Sequence, residues 1–246
     1  MPIVKSESAI AIIPARYEST RLPGKPVIEI YGKTLIEHVY RRVQRAESID
    51  RILVATDDER IIRVVEKFGG KATMTRLDHQ SGTDRLAEAA MHLPDDALVV
   101  NIQGDEPLIE PDFIDRAVAA ARHRDSQIVT LMTPLTDPEA IADPNRVKVV
   151  VDRNGFALYF SRSPIPYNGT TFLHLGLYVY RVEFLRAFTK LDRTPLEISE
   201  RLEQLRALEH GFRIRVVEVE GESWGIDTPA DLEKFKALLR MNRNAL

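Results

Sequence analysis

ALVVNIQGDEP, residues 97–107, decides the fold. The run from Ala97 to Ile102 is strongly apolar, and the chain then turns polar at once through Gln103, Gly104, Asp105, Glu106 and Pro107. A short apolar run bounded by turn residues reads as a buried strand. Working outward, the same alternation recurs on both sides. Residues 9–13 read as a buried strand, and residues 35–45 as a helix with Ile36, Val39, Tyr40 and Val43 on one face. Residues 51–55 are a strand, Ile61, Ile62, Val64 and Val65 lie in the next helix, 71–75 is a short strand and 83–92 a helix. A helix over 112–122 and a strand over 127–133 follow. This strand–helix rhythm predicts an α/β fold, Rossmann-like, with a mainly parallel central sheet and helices on both faces.

Beyond about residue 137 the pattern changes. Residues 147–152, 157–161 and 172–180 read as strands with no helix between them, a local antiparallel excursion. Helices over 182–189 and 196–210, a strand over 213–219 and a closing helix over 229–240 complete the chain. We find no repeat or linker. The expectation is one domain over residues 1–246, with a small β-rich insertion at about 137–195.

Composition narrows the chemistry. The 246 residues carry 34 basic and 37 acidic side chains, a net charge of −3, which disfavours a nucleic-acid partner. The absence of cysteine excludes disulfides, thiolate metal sites and a cysteine nucleophile, and fits the cytoplasm. The apolar run near the start is stopped by Pro14, too short for a signal segment or a membrane span.

In open α/β sheets ligands bind beyond the carboxyl ends of the strands. Three polar loops occupy such positions: residues 14–26, 103–107 and 224–229. The first gathers Arg16, Ser19, Arg21 and Lys25, with Pro23 and Gly24 forcing a turn. Arginine forks and a lysine charge suit a triphosphate, although a solvated cationic loop is the plainer alternative. The Gly-rich dinucleotide fingerprint and the P-loop are both missing. Asp105, directly after the apolar strand, suits Mg²⁺, or is simply a turn aspartate. Asp227 precedes Thr228, Pro229 and Asp231, a good helix start, so it either binds metal or assists that cap. Two aspartates facing a cationic loop favour a metal–triphosphate site. The loop over 75–85 offers groups to read a base edge, or is an exposed loop with an N-cap at Ser81 or Thr83. His174 in its strand reads as structural on pattern alone, and Glu203 as a solvated position.

Taken together, PARYESTRLPGKP (14–26), DHQSGTDR (78–85), NIQGDEP (101–107), ALYFSR (157–162), HLG (174–176), LEQLR (202–206) and DTP (227–229) have a familiar order. They resemble, over nearly the whole chain, the sugar-activating cytidylyltransferases, and in combination the 3-deoxy-manno-octulosonate (Kdo) cytidylyltransferase family. The resemblance implies a nucleotide-diphospho-sugar transferase-like fold and the reaction of CTP with Kdo to give CMP-Kdo and pyrophosphate. It implies Mg²⁺ as cofactor, a role in lipopolysaccharide inner-core synthesis and a homodimer. By the same resemblance Arg16, Lys25, Asp105 and Asp227 are catalytic, with the metal on Asp105 and Asp227. Ala15, Arg16, Ser19, Arg21, Lys25, Arg76, Ser81, Gly82 and Gln103 would contact the nucleotide. Gln103, Arg162, His174, Glu203 and Gln204 would contact the sugar. An 8-amino-Kdo or another acidic 2-keto sugar such as sialic acid is the alternative acceptor.

Overall fold

The computed structural model describes residues 8–18, 22–79 and 81–241. The first strand, β1 (Ala9–Ala15), leads through a 3₁₀ turn (Lys25–Val27) to a hairpin of β2 (Glu29–Ile30) and β3 (Lys33–Thr34). Tyr31 and Gly32 between them both have positive φ, 50° and 81°, the conformation a two-residue type I′ turn demands. There follow α1 (Leu35–Val43), β4 (Arg51–Thr56), α2 (Glu59–Lys67), β5 (Ala72–Met74), α3 (Gly82–Ala89), β6 (Leu98–Asn101) and α4 (Pro111–Ala121). Next come β7 (Ile128–Leu135), a short α5 (Pro138–Ala142), β8 (Lys148–Val151), β9 (Ala157–Ser161) and β10 (Thr171–Arg181). The chain ends with α6 (Val182–Phe188), α7 (Pro195–Glu200), α8 (Gln204–Glu209), β11 (Ile214–Glu218) and α9 (Pro229–Met241).

Among the described residues the main sheet runs β11-β7-β10-β6-β1-β4-β5, with β8 and β9 branching from β10. The pairs of β1 with β4 and β6, of β4 with β5, and of β11 with β7 are parallel; β10 is antiparallel to both β6 and β7. The fold is thus mixed α/β with a mostly parallel central sheet. The antiparallel excursion is not confined to an edge. The first half of β10 pairs with β8, while its second half lies in the middle of the sheet.

Alternation along β1 shows why both faces are covered. Ala9, Ala11 and Ile13 pack toward Ile36 and Val39 of α1, Ile61 and Val65 of α2, and Phe113 and Ala117 of α4. Ile10 and Ile12 pack on the other face with Leu86 of α3, Leu185 and Phe188 of α6, and Leu205 of α8. A strand with successive side chains on opposite faces must be apolar throughout when helices cover both. No helix among the described residues is long and apolar enough to cross a membrane.

The expected helix over 196–210 is a correction. It is two helices, because Arg201 adopts a left-handed φ of 55° and ends α7. The break redirects the chain so that Glu203 and Gln204 open α8 beside the sheet.

Candidate active site

Along the path β11-β7-β10-β6-β1-β4-β5 every strand except β10 runs in one direction, so the loops after β1, β6 and β11 emerge on one side. Local chemistry then closes them on one another. The loop after β1 folds back where Gly24 donates its N–H to the Tyr17 carbonyl (3.0 Å) at φ 68°, and a Cβ there would press on the Tyr17 ring at 3.3 Å. The Arg60 guanidinium, carried by α2, lies 3.3 Å from the centre of that ring. In the loop after β6, a Cβ on Gly104 would meet the Pro14 carbonyl oxygen at 2.8 Å, so only glycine lets the two loops approach this closely. The loop after β11 is tied in by the Ile226 N–H, which donates to the Asp105 carbonyl at 2.9 Å.

These ties bring the two sequence-predicted aspartates together with the lysine. Lys25 Nζ donates to Asp105 Oδ2 at 2.6 Å and to Asp227 Oδ1 at 3.1 Å. Burial alone would lower the lysine's pKa; the Asp105 carboxylate, and Asp227 after it, outweigh that and raise it above the ordinary value. The helix start after Asp227 is satisfied by a different residue. Asp231 accepts from the Thr228 N–H and hydroxyl, both at 2.8 Å, while the Asp227 carboxylate accepts from the lysine. Glu106 is driven the other way: burial raises its pKa to about 7, and a 2.6 Å hydrogen bond from Ser223 opposes that rise.

Two carboxylates that converge on one ammonium converge on a point where a cation is stabilised. An all-oxygen pair suits Mg²⁺, which commonly takes one or two carboxylates and fills its octahedron with water and phosphate oxygens. Among the described residues no cluster of three or more His, Asp or Glu offers an all-protein cage. The donor set therefore fits a metal bound jointly with a phosphate ligand.

Arg16 reaches across to the neighbouring loop, donating to the His79 carbonyl at 2.8 Å and contacting that of Ser81 at 3.5 Å. That loop is braced from behind by the fully buried Arg85, which donates to Thr75 and, at 2.5 Å, to Asp57. Ser81 is the N-cap of α3, in a reciprocal capping box with Asp84. With the cap assigned to Ser81, the Thr83 hydroxyl is available to donate to Glu203.

Next to this lies a cavity of about 210 Å³ lined by Pro14, Gly82, Thr83, Gln103, Glu203 and Gln204, with Tyr178 and Tyr180 among its walls. Burial raises the Glu203 pKa above the ordinary value against the Thr83 hydrogen bond. Gln103 Nε2 donates to the Gly176 carbonyl at 3.2 Å, where β10 bulges between Leu175 and Tyr178. A bulge re-aims backbone and side chains locally, and here it presents the Gly176 carbonyl to Gln103, which lines the cavity.

Not every expected residue joins this cavity. Arg162 is committed to main chain, donating to the carbonyls of Glu200 (2.7 Å) and Pro144 (2.9 Å). His174 is buried, with Nε2 2.9 Å from the Thr130 hydroxyl, and burial pushes its pKa down to about 3. Its ring lies 5.4 Å from that of Tyr178, one layer behind the cavity wall. Arg76 pairs with Asp78 at 3.2 Å on an exposed surface. Ala15 is buried at the end of β1. Ser19 and Arg21 lie outside the described residues. Sequence reasoning missed Thr83, Tyr178 and Tyr180 as cavity residues; the two tyrosines, spaced by two in a strand, carried a same-face signal.

Comparison with known proteins identifies the family and the fold. Residues 10–215 match the Cytidylyltransferase family. The 3-deoxy-manno-octulosonate cytidylyltransferase of Syntrophotalea carbinolica is 52% identical, covering 95% of this chain and 99% of its own. That of Geobacter metallireducens is 50% identical, covering 91% and 94%. Among solved structures, CMP:2-keto-3-deoxy-manno-octonic acid synthetase complexed with CTP superposes with a TM-score of 0.91 at 44% identity, covering 96% of this chain and all (100%) of that one. The 4-diphosphocytidyl-2C-methyl-D-erythritol synthase of Anaerococcus prevotii, 19% identical with a TM-score of 0.64, shares the fold alone. The loops joined by Lys25 and the cavity beside them thus sit on a known framework, and the chain belongs to the 3-deoxy-manno-octulosonate cytidylyltransferase family.

Proposed function

We propose that this chain transfers the cytidylyl group of CTP to Kdo, releasing pyrophosphate, with Mg²⁺ required. The observation that carries the reading is the convergence of Lys25, Asp105 and Asp227 at the mouth of the sheet, beside a polar cavity. The anomeric oxygen of the sugar attacks the α-phosphorus and gives up its proton to solvent water. The bond from that phosphorus to the bridging oxygen breaks, and its electron pair leaves with pyrophosphate. Asp105 and Asp227 would hold the Mg²⁺, which when bound supplies Lewis acidity to the reacting oxygens.

The chain's own groups do the rest by positioning and by neutralising charge. Arg16 and Lys25, with Ser19 and Arg21 of the same loop, bind the phosphates. Ala15, Arg76, Ser81, Gly82 and Gln103 hold the nucleotide. Gln103, Glu203 and Gln204 meet the sugar hydroxyls, while Arg162 and His174 shape the acidic-sugar pocket from behind its wall. The 5.4 Å between the His174 and Tyr178 rings supports that placement for the histidine. A homodimer is part of the same proposal, supported by exposed Leu158 and Tyr167 in the 137–195 segment and by exposed Leu196 and Ile198 just after it. So are a cytoplasmic location and a role in supplying the activated sugar for lipopolysaccharide.

A pyrophosphate-release assay of the purified chain tests this across CTP, UTP, ATP and GTP, and across Kdo, 8-amino-Kdo and sialic acid. CTP with Kdo is expected to give the highest kcat/KM. A preference for another nucleotide, or for either competing sugar, overturns the assignment.

A further inference from the structure

Lys25 is placed for more than phosphate contact. Its ammonium touches both carboxylates of the metal site at 2.6 and 3.1 Å, and only 14% of its side chain is exposed, against 28% for Asp105 and 43% for Asp227. Mg²⁺ would use oxygens of the same two carboxylates. An ammonium and a divalent cation crowded onto the same two carboxylates repel strongly in a partly desolvated site. The two cations therefore compete.

The surroundings determine which of them can move. The Lys25 backbone is fixed by its 3₁₀ turn, with the Lys25 N–H on the Leu22 carbonyl at 3.1 Å and the Val27 N–H on the Gly24 carbonyl at 2.9 Å. Asp105 is fixed by its carbonyl bond from Ile226 and by the tight packing of Gly104 under Pro14. Between these anchors runs the four-carbon lysine stem, which swings without backbone motion. The charge balance says what the swing requires. Two carboxylates with Lys25 carry −1; adding a divalent cation makes the group +1, so the lysine then needs a new anion. A triphosphate supplies it.

We propose that Lys25 is the resident counter-ion of Asp105 and Asp227, and that it cedes them to the divalent metal when a nucleoside triphosphate arrives to take up its charge. Metal and nucleotide then bind cooperatively through one side chain, and by linkage each strengthens the other equally. The site discriminates the metal–triphosphate pair from free metal. The inference rests on the metal–triphosphate reading above, but its test reads binding rather than turnover.

Calorimetric titration with Mn²⁺, without nucleotide, compares the unsubstituted chain with Lys25→Met and Lys25→Arg. Lys25→Met is expected to bind Mn²⁺ at least about tenfold more tightly, and Lys25→Arg close to the unsubstituted value. The factor by which CTP tightens Mn²⁺ binding is expected to shrink in Lys25→Met. Because Lys25→Met leaves two carboxylates facing each other, the unsubstituted chain is also labelled with an amine-acylating reagent and read by mass spectrometry. Lys25 should label faster in saturating Mn²⁺ alone than without it. Equal Mn²⁺ affinity in Lys25→Met and the unsubstituted chain, or unchanged labelling at Lys25, overturns the counter-ion role and leaves the metal site standing. Absence of Mn²⁺ binding in every form, with or without CTP, overturns both.

Discussion

Carboxylates serve two regions of this molecule in opposite ways. At the mouth of the sheet, Asp105 and Asp227 both meet the Lys25 ammonium and remain part-exposed. Behind the cavity, Glu197 and Glu200 are saturated. Glu197 accepts two hydrogen bonds from the Arg206 guanidinium, at 2.8 and 2.6 Å. Glu200 accepts from the Arg162 N–H (2.8 Å), the Ser161 hydroxyl (2.8 Å) and the Tyr159 hydroxyl (3.2 Å). Burial would raise the pKa of both; these donors outweigh it and hold both below the ordinary carboxylate range. Saturated groups fix geometry, whereas a part-exposed pair held by a movable ammonium keeps capacity for a ligand.

The sharpest way to break this comparison is at the mouth. Asp105→Ala and Asp227→Ala should each fold with little change in melting temperature and lose roughly 10³-fold in kcat, about 4 kcal/mol of barrier, comparable to removing a donor to developing charge. Pyrophosphate release near the unsubstituted rate in either variant would refute the mouth's assignment. Arg206→Ala should do the reverse. It strands the Glu197 carboxylate, whose side chain is 5% exposed, at a cost of about 3 kcal/mol. That is the lower end for a broken buried pair, because Arg193 also reaches Glu197 at 3.3 Å. In a chain of this size the melting temperature should fall by roughly 6–12 °C, with a much smaller loss of rate in the folded protein. A shift under about 2 °C would erase the distinction.

The same contrast explains what could be read from the sequence. The parallel half was legible because its signals are local: an apolar run such as residues 97–102, then a polar loop, then helical spacing. Asp105 and Asp227 followed from their positions after strands. The region behind the cavity depended on non-local pairing. β10 alternates like any strand, and nothing local reveals that its second half runs antiparallel in the middle of the sheet. Ile198, Leu202, Leu205 and Leu208 keep helical spacing across the break at Arg201, so periodicity joined two helices into one; Ile198 is in fact 55% exposed. The β2–β3 hairpin went unread, its one local turn signal being Gly32. The commitment of Arg162 to carbonyls of residues 18 and 38 positions away has no sequence signature at all.

His174 provides the smallest and finest test of the boundary between the two regions. Its pKa is pushed by burial from 6.5 to about 3, below its unfolded value. Between those values the unfolded chain binds the proton and the folded chain does not, so stability falls as pH drops below about 6.5. The slope from this one group approaches about 1.4 kcal/mol per pH unit. Glu197 and Glu200, with depressed pKa values, contribute stability that is present above the ordinary 4.5 and lost only below it, as pH falls through their folded values. The window from pH 6.5 down to 4.5 therefore isolates the histidine from them. His174→Gln keeps a polar partner for Thr130 and removes the titration. Urea unfolding across that window should show the unsubstituted chain losing its advantage over His174→Gln steadily as pH falls. Parallel curves would mean that the imidazole takes up its proton in the folded state, and so faces the cavity rather than standing behind its wall.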